Sequence, residues 1–249
     1  MFELALAAAM VAQAPSLVPG GGWQLSKDAT GCTLARRFGA GTDSVLLALR
    51  PIPGHDGGEL MLAFPEAAKV RTGSGQGPVT PSPAAAVTAE WTSAPVASGG
   101  QAVRIRVRKA FWEALPEATG LDIAEPVRLR LALGPMAAAL LALRACGDEV
   151  ARGWGMDPAA GVWLAAPETL VAFYDLLDFP EAGRRARAPG RLVMLATTDV
   201  TGKTTSCRVV NSSGDAELDR AGCAKLRRKL RFASDRSSPH PVRWFLFPL

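Results

Sequence analysis

The chain has two histidines and one tyrosine in 249 residues, which leaves little material for general acid–base chemistry. His55 stands in a Gly/Asp loop and His240 between prolines, and no motif places a Ser or Cys beside either one. Both read as exposed loop residues. The four cysteines form neither a CxxC motif nor a Cys/His cluster, so no zinc site and no cofactor is expected. Glu113, Glu117, Asp122 and Glu125 fall in a loop–helix region where nothing fixes their separation, so they make no glycosidase pair. The glycines of residues 73–83 are not followed by the helix and Lys of a phosphate loop. An enzyme is not expected.

Long apolar runs are also missing. Residues 2–11 form a short apolar run around Glu3 and lead into Ala12-Gln13-Ala14 ahead of Pro15, a small-x-small pattern that suits a signal-peptide cleavage site. Residues 1–14 therefore read as an export signal. No Lys or Arg precedes the run, so a buried helix or an uncleaved anchor stays open. No other stretch approaches the ~20 apolar residues of a membrane span. The net charge of +5 is spread over several segments and is not a nucleic-acid signature. Four cysteines, an even number, suit an oxidising compartment, so the expected location is periplasmic or secreted.

With 48% hydrophobic residues the chain can bury a sizeable core. Leu-, Val- and Thr-rich runs at 23–25, 32–38, 45–49 and 60–64, separated by Gly, Pro and Asp, predict strands. Residues 73–83 (GSGQGPVTPSP) read as a loop. Residues 101–109 alternate, with Arg104, Arg106 and Arg108 on one face, either a solvated face or a surface for an anionic partner. Gly134-Pro135 predicts the start of a helix with Pro at its first position, continuing to Trp154 with an apolar stripe. Cys146 lies beside that stripe and can face Cys32 on a strand beneath it, which predicts a disulfide. The expected organisation is a β-rich domain with one long helix over 15–154, then a connection over 155–172.

The tail has a different grammar. Residues 191–200 and 203–210 predict two strands joined at Thr201-Gly202. Asp215, at the end of Asn211-Ser212-Ser213-Gly214, can cap a following helix. On that helix Leu218, Gly222, Cys223, Leu226 and Leu230 share an arc. Arg220, Lys225, Arg227, Arg228 and Arg231 fall mostly outside it, toward the end where cations offset the helix dipole. Asp219 points into the apolar arc and needs donors, for which the amides of Ser212, Ser213 and Gly214 are the candidates. Residues 241–247 predict a last strand, suited to a sheet edge by Pro239 and Pro241. Its alternation sets Val242, Trp244 and Leu246 on one face and Arg243, Phe245 and Phe247 on the other.

These segments resemble a known family. Asp178-Phe179-Pro180-Glu181-Ala182, Gly190-Arg191-Leu192-Val193, the Gly202 turn, Val209-Val210-Asn211-Ser212-Ser213-Gly214, Leu218-Asp219 and Leu230-Arg231-Phe232 occur in the order seen in the C-terminal domain of TonB-family proteins. The resemblance runs over 173–249 and implies a small β-β-α-β module, making the whole chain α+β. Cys207 in the second strand and Cys223 in the helix resemble the version common in sphingomonad-like bacteria, which implies a Cys207–Cys223 disulfide, with two buried free thiols as the alternative. It also implies an envelope protein that captures an extended peptide, such as the terminus of an outer-membrane receptor, by strand addition along 242–247. The expected contacts are Val242, Arg243, Trp244, Phe245 and Phe247. The rival is an accessory protein whose edge is covered by its other domain or by a second copy in a homodimer. A TonB energy transducer carries a long Pro-rich spacer ahead of this domain. Here a strand-rich segment stands in its place, which puts energy transduction in doubt.

Overall fold

The computed structural model describes residues 16–53, 57–68, 70–96, 99–159, 190–233 and 239–246. The expected signal segment, most of the connection, His55 and Phe247 lie outside these.

The first part of the chain is a nine-stranded antiparallel sheet: β1 (Gln24–Asp28), β2 (Gly31–Phe38), β3 (Val45–Pro51), β4 (Gly58–Phe64), β5 (Gly73–Ser82), β6 (Val87–Pro95), β7 (Gln101–Val107), β8 (Gly120–Ile123) and β9 (Leu129–Ala132). Its spatial order is β1-β2-β3-β4-β7-β6-β5-β8-β9. Every second residue points inward, so Leu47, Leu49, Leu60, Leu62, Val103 and Ile105 line a common core.

The sheet curls until its two ends are joined by the segment that precedes β1. The Leu17 amide donates to the Arg130 carbonyl (2.8 Å) and Ala132 donates back to Leu17 (2.9 Å). On the other side, Gly20 donates to the Arg37 carbonyl and Gly39 to that of Val18, both at 2.9 Å. Arg36 reinforces the seam, donating through Nε to the Gly21 carbonyl (2.6 Å) and through a terminal nitrogen to that of Leu133 (2.9 Å). A short helix α1 (Lys109–Ala114) and the long α2 (Ala137–Gly153) pack on this body, α2 burying Leu143, Val150 and Ala151 against β2.

Two of the sequence expectations for this region are corrected. Residues 73–83 are not a loop: β5 lies inside the sheet, between β6 and β8. Its glycines are there for close approach, because a Cβ on Gly75 would sit 2.8 Å from the Trp91 ring and one on Gly77 2.6 Å from Glu125 Cβ. A composition that defeats an isolated strand is tolerated when neighbours on both sides supply the ladder. The long helix begins after Met136, so Pro135 precedes its first turn rather than occupying it. β6, β8 and β9 appear where no strand was expected, and Asp122 therefore sits on a strand rather than in a loop–helix region.

The tail forms a second sheet from β10 (Gly190–Thr198), β11 (Thr204–Asn211) and β12 (His240–Leu246), with helix α3 (Ala216–Lys229) against β10 and β11. The spatial order is β11-β10-β12, all antiparallel. Leu192, Met194 and Ala196 of β10 meet Leu218, Leu226, Leu230 and Phe232 on the helix side. Val193 and Leu195, on its opposite face, belong to one apolar cluster with the core of the nine-stranded sheet.

Because Arg36 ties two carbonyls across the seam, Arg36→Ala is expected to lower stability by about 1.5–3 kcal/mol in urea unfolding. Arg36→Lys should recover only part of this, since an ammonium lacks the fork that reaches both acceptors.

Candidate functional site

Three local devices hold the tail module. The first is the turn between β10 and β11. Asp199 accepts from the amides of Thr201 (2.9 Å) and Lys203 (3.1 Å), and Gly202 takes a φ of +78°. The end of α3 lies against this turn: Phe232 donates to the Gly202 carbonyl at 2.9 Å, and a Cβ on Gly202 would run into the Phe232 backbone. Glycine is required there both for conformation and for space.

The second device is the loop that starts α3. Asp215 caps the helix, accepting from the amides of Glu217 (2.8 Å) and Leu218 (3.0 Å). Asp219, one turn on, accepts from the Ser213 amide (2.9 Å) and the Ser213 hydroxyl (2.7 Å). Ser212 contributes its own hydroxyl to Asp219 and accepts from the Gly214 amide at 3.0 Å. Burial works to raise the Asp219 carboxyl, but the Ser212 and Ser213 donors outweigh it and hold the group below its ordinary value. The sequence points to the amides; the two hydroxyls, which make this a closed network, are not foreseen from it.

The third device is sulfur. Cys207 of β11 is bonded to Cys223 of α3, with Cα atoms 5.6 Å apart, tying helix to sheet across 16 residues. A second bond joins Cys32 of β2 to Cys146 of α2, closing a span of 114 residues. No free cysteine is present.

Lys225 corrects the helical reading. It is 1% exposed, not on the solvated side with Arg220, Arg227 and Arg228. Seven residues make nearly two full turns, so Lys225 shares the direction of Leu218.

β12 carries four of the five expected partner contacts. Its register with β10 sets Val242 opposite Met194, Arg243 opposite Val193, Trp244 opposite Leu192 and Phe245 opposite Arg191. Among the described residues it pairs on one side only, so its other backbone edge is the last in the sheet. His240 is not a loop residue but opens this strand, opposite Ala196.

Five of the remaining candidates form ion pairs within the fold. Arg104 pairs with Glu59 (3.7 Å) and Arg106 with Glu90 (3.0 Å), so these two arginines answer carboxylates on neighbouring strands rather than an outside anion. Asp122 holds Arg130 (2.5 Å), Glu125 holds Arg71 (2.7 Å) and Glu113 holds Lys109 (3.6 Å). Among the described residues no group of His, Cys, Asp and Glu is placed to bind a metal, and no helix is long and apolar enough to cross a membrane.

The order β11-β10-β12 with one helix on one face, and the loop that satisfies Asp219, agree with the family comparison. Residues 176–244 match the model of the Gram-negative bacterial TonB protein C-terminal. The tail is a TonB C-terminal domain. The match covers a little over a quarter of the chain, and the curled sheet lies outside it. No curated protein and no solved structure matches the chain. The TonB C-terminal family is a protein-interaction domain of the cell envelope and not a catalytic one.

Two outcomes follow for this module. Replacing Cys207 and Cys223 together by Ser should lower its stability by about 3 kcal/mol, the chain-entropy value for so short a loop, read as a shift of the urea midpoint against reduced and unreduced protein. Asp219→Asn should destabilise the chain at pH 7 and lose its effect in acid. A depressed carboxyl stabilises the fold above its unfolded value of about 3.9 and stops doing so as pH falls through the lower folded value. Unfolding midpoints of the two proteins should therefore converge as the pH falls through the lowered folded value of Asp219.

Proposed function

We propose that the chain is an exported accessory of TonB-dependent transport, capturing an extended peptide in the envelope by strand addition along β12. The observation that carries this reading is that β12, among the described residues, pairs on one side only, at the end of the sheet. An edge strand offers a row of backbone donors and acceptors, which an extended segment satisfies while its alternate side chains set specificity. Val242, Arg243, Trp244 and Phe245 stand on that strand.

Two further features support it. Disulfides fit an oxidising compartment, where such peptides hang from outer-membrane receptors. The tail is also not a free module on a spacer. Val193 and Leu195 join it to the core of the curled sheet, so the edge is presented by a body of fixed shape. That favours a docking role over reach across the periplasm, and leaves energy transduction to another protein.

Titration of the 15N-labelled full chain with peptides from the N-termini of outer-membrane receptors is expected to perturb the amides of residues 242–246 first. The amides of β11 should stay in place. No perturbation at millimolar peptide, together with a dimer in concentration-dependent size exclusion, would instead mean that a second copy covers the edge.

A further inference from the structure

The end of the tail module where α3 stops gathers cations around one protruding apolar side chain. Arg227, Arg228 and Lys229 form the last turn of α3 and stand exposed. Arg231 follows them and is bridged to Lys203, which is exposed just before β11. None of these five cations forms an ion pair among the described residues. The acidic residues Glu217 and Asp219 belong to the first turn of α3, about 20 Å away along a 14-residue helix.

Beside these cations stands the turn from β10 to β11, with Val200 at its tip. Val200 is 88% exposed, more than any other large apolar side chain among the described residues. The turn holds it out. Asp199 and Lys203 pair through the Asp199 amide (3.0 Å), Gly202 donates to the Asp199 carbonyl (3.0 Å), and Phe232 ties Gly202 to the end of α3. The Asp199 carboxylate is taken up by the Thr201 amide and hydroxyl and the Lys203 amide, and it forms no ion pair with the cations around it.

The free carbonyls of α3 account for part of this charge, since Arg231 donates to those of Arg227 (3.4 Å) and Leu230 (2.9 Å). They do not account for Lys203, which lies outside the helix, nor for a valine held out on a braced turn. Cations ringing an apolar tip match a surface that is anionic at its face and apolar just beneath it. An acidic polymer in solution would answer the arginines but would not bury Val200.

We propose that this end of the module docks on a bilayer containing acidic phospholipids. Val200 enters among the headgroups, and Lys203, Arg227, Arg228 and Lys229 meet the phosphates. The TonB family is one of the cell envelope, so such bilayers are at hand. β12 runs antiparallel to β10 at the side of the sheet, so docking by the end leaves its edge open to a peptide.

Flotation of the full chain with phosphatidylcholine vesicles, with and without about one-third phosphatidylglycerol, tests this. Binding is expected to the acidic vesicles alone, falling several-fold as NaCl rises from about 0.05 M to about 0.5 M. The pair Arg227→Gln and Arg228→Gln should weaken it on the order of tenfold. Val200→Asp should weaken it several-fold, and these exposed substitutions should leave the thermal midpoint near wild type. The pair Arg108→Gln and Arg144→Gln removes the same charge from exposed positions of the larger body and should leave binding unchanged. No flotation with acidic vesicles at low salt, equal binding to neutral ones, or an equal loss in the Arg108 and Arg144 pair would overturn the proposal. Unchanged binding in Val200→Asp, with poly-glutamate competing fully, would also overturn it and point to an acidic protein partner.

Discussion

The structure turns on one strand buried on both faces. Leu192, Met194 and Ala196 of β10 face α3, while Val193 and Leu195 face the cluster that fills the curled sheet, and all five are excluded from solvent. A strand in this position has no polar alternation to show, which is why residues 192–196 read as a continuous apolar run. Burial of five such side chains is worth several kcal/mol, at about 1.5–3 kcal/mol for each large one. β10 is thereby the middle layer of the molecule: β12 is held at its side, α3 above it and the larger body below.

The two halves handle charge differently. In the curled sheet a row of residues on neighbouring strands alternates in sign, Arg50 opposite Glu59, Glu59 opposite Arg106 and Arg106 opposite Glu90. Arg50 also holds Asp28 at 2.6 Å, and Glu59 is 2% exposed. Cross-strand pairs of opposite sign stabilise a register and disfavour slips by one residue, which would set each charge opposite an apolar residue or glycine, Glu59 against Ile105 or Val107 for instance. On α3, by contrast, Arg227, Arg228 and Lys229 stand exposed at the helix end, where the unpaired carbonyls are their counter-charge.

Much of the tail was legible because its signals are local. The Asp215 cap, the demand of Asp219 for donors, the glycine turn and the strand–strand–helix–strand order all act within a few residues of one another. Lys225 departs from the expected arc because seven residues make nearly two helical turns and bring it round to the buried side with Leu218. The curled sheet was less legible for a physical reason. β5 is a strand only because β6 and β8 flank it, and its glycines are explained by Trp91 and Glu125, which are remote in sequence. Closure through Leu17 and Pro19 to β9 and β2 depends on partners more than a hundred residues apart for one of its two seams. Of the two disulfides, the Cys32–Cys146 pairing followed from periodicity, whereas that of Cys207 with Cys223 rested on family resemblance.

The account stands on β10 joining the TonB-like module to the rest of the chain as one cooperative body. Native-state hydrogen exchange measures this directly. Amides of β10 and of β3 should exchange only through the same global opening, with equal free energy and equal denaturant dependence. Exchange of β10 through a separate, cheaper opening, with β3 still protected, would contradict it and make the tail an independent module.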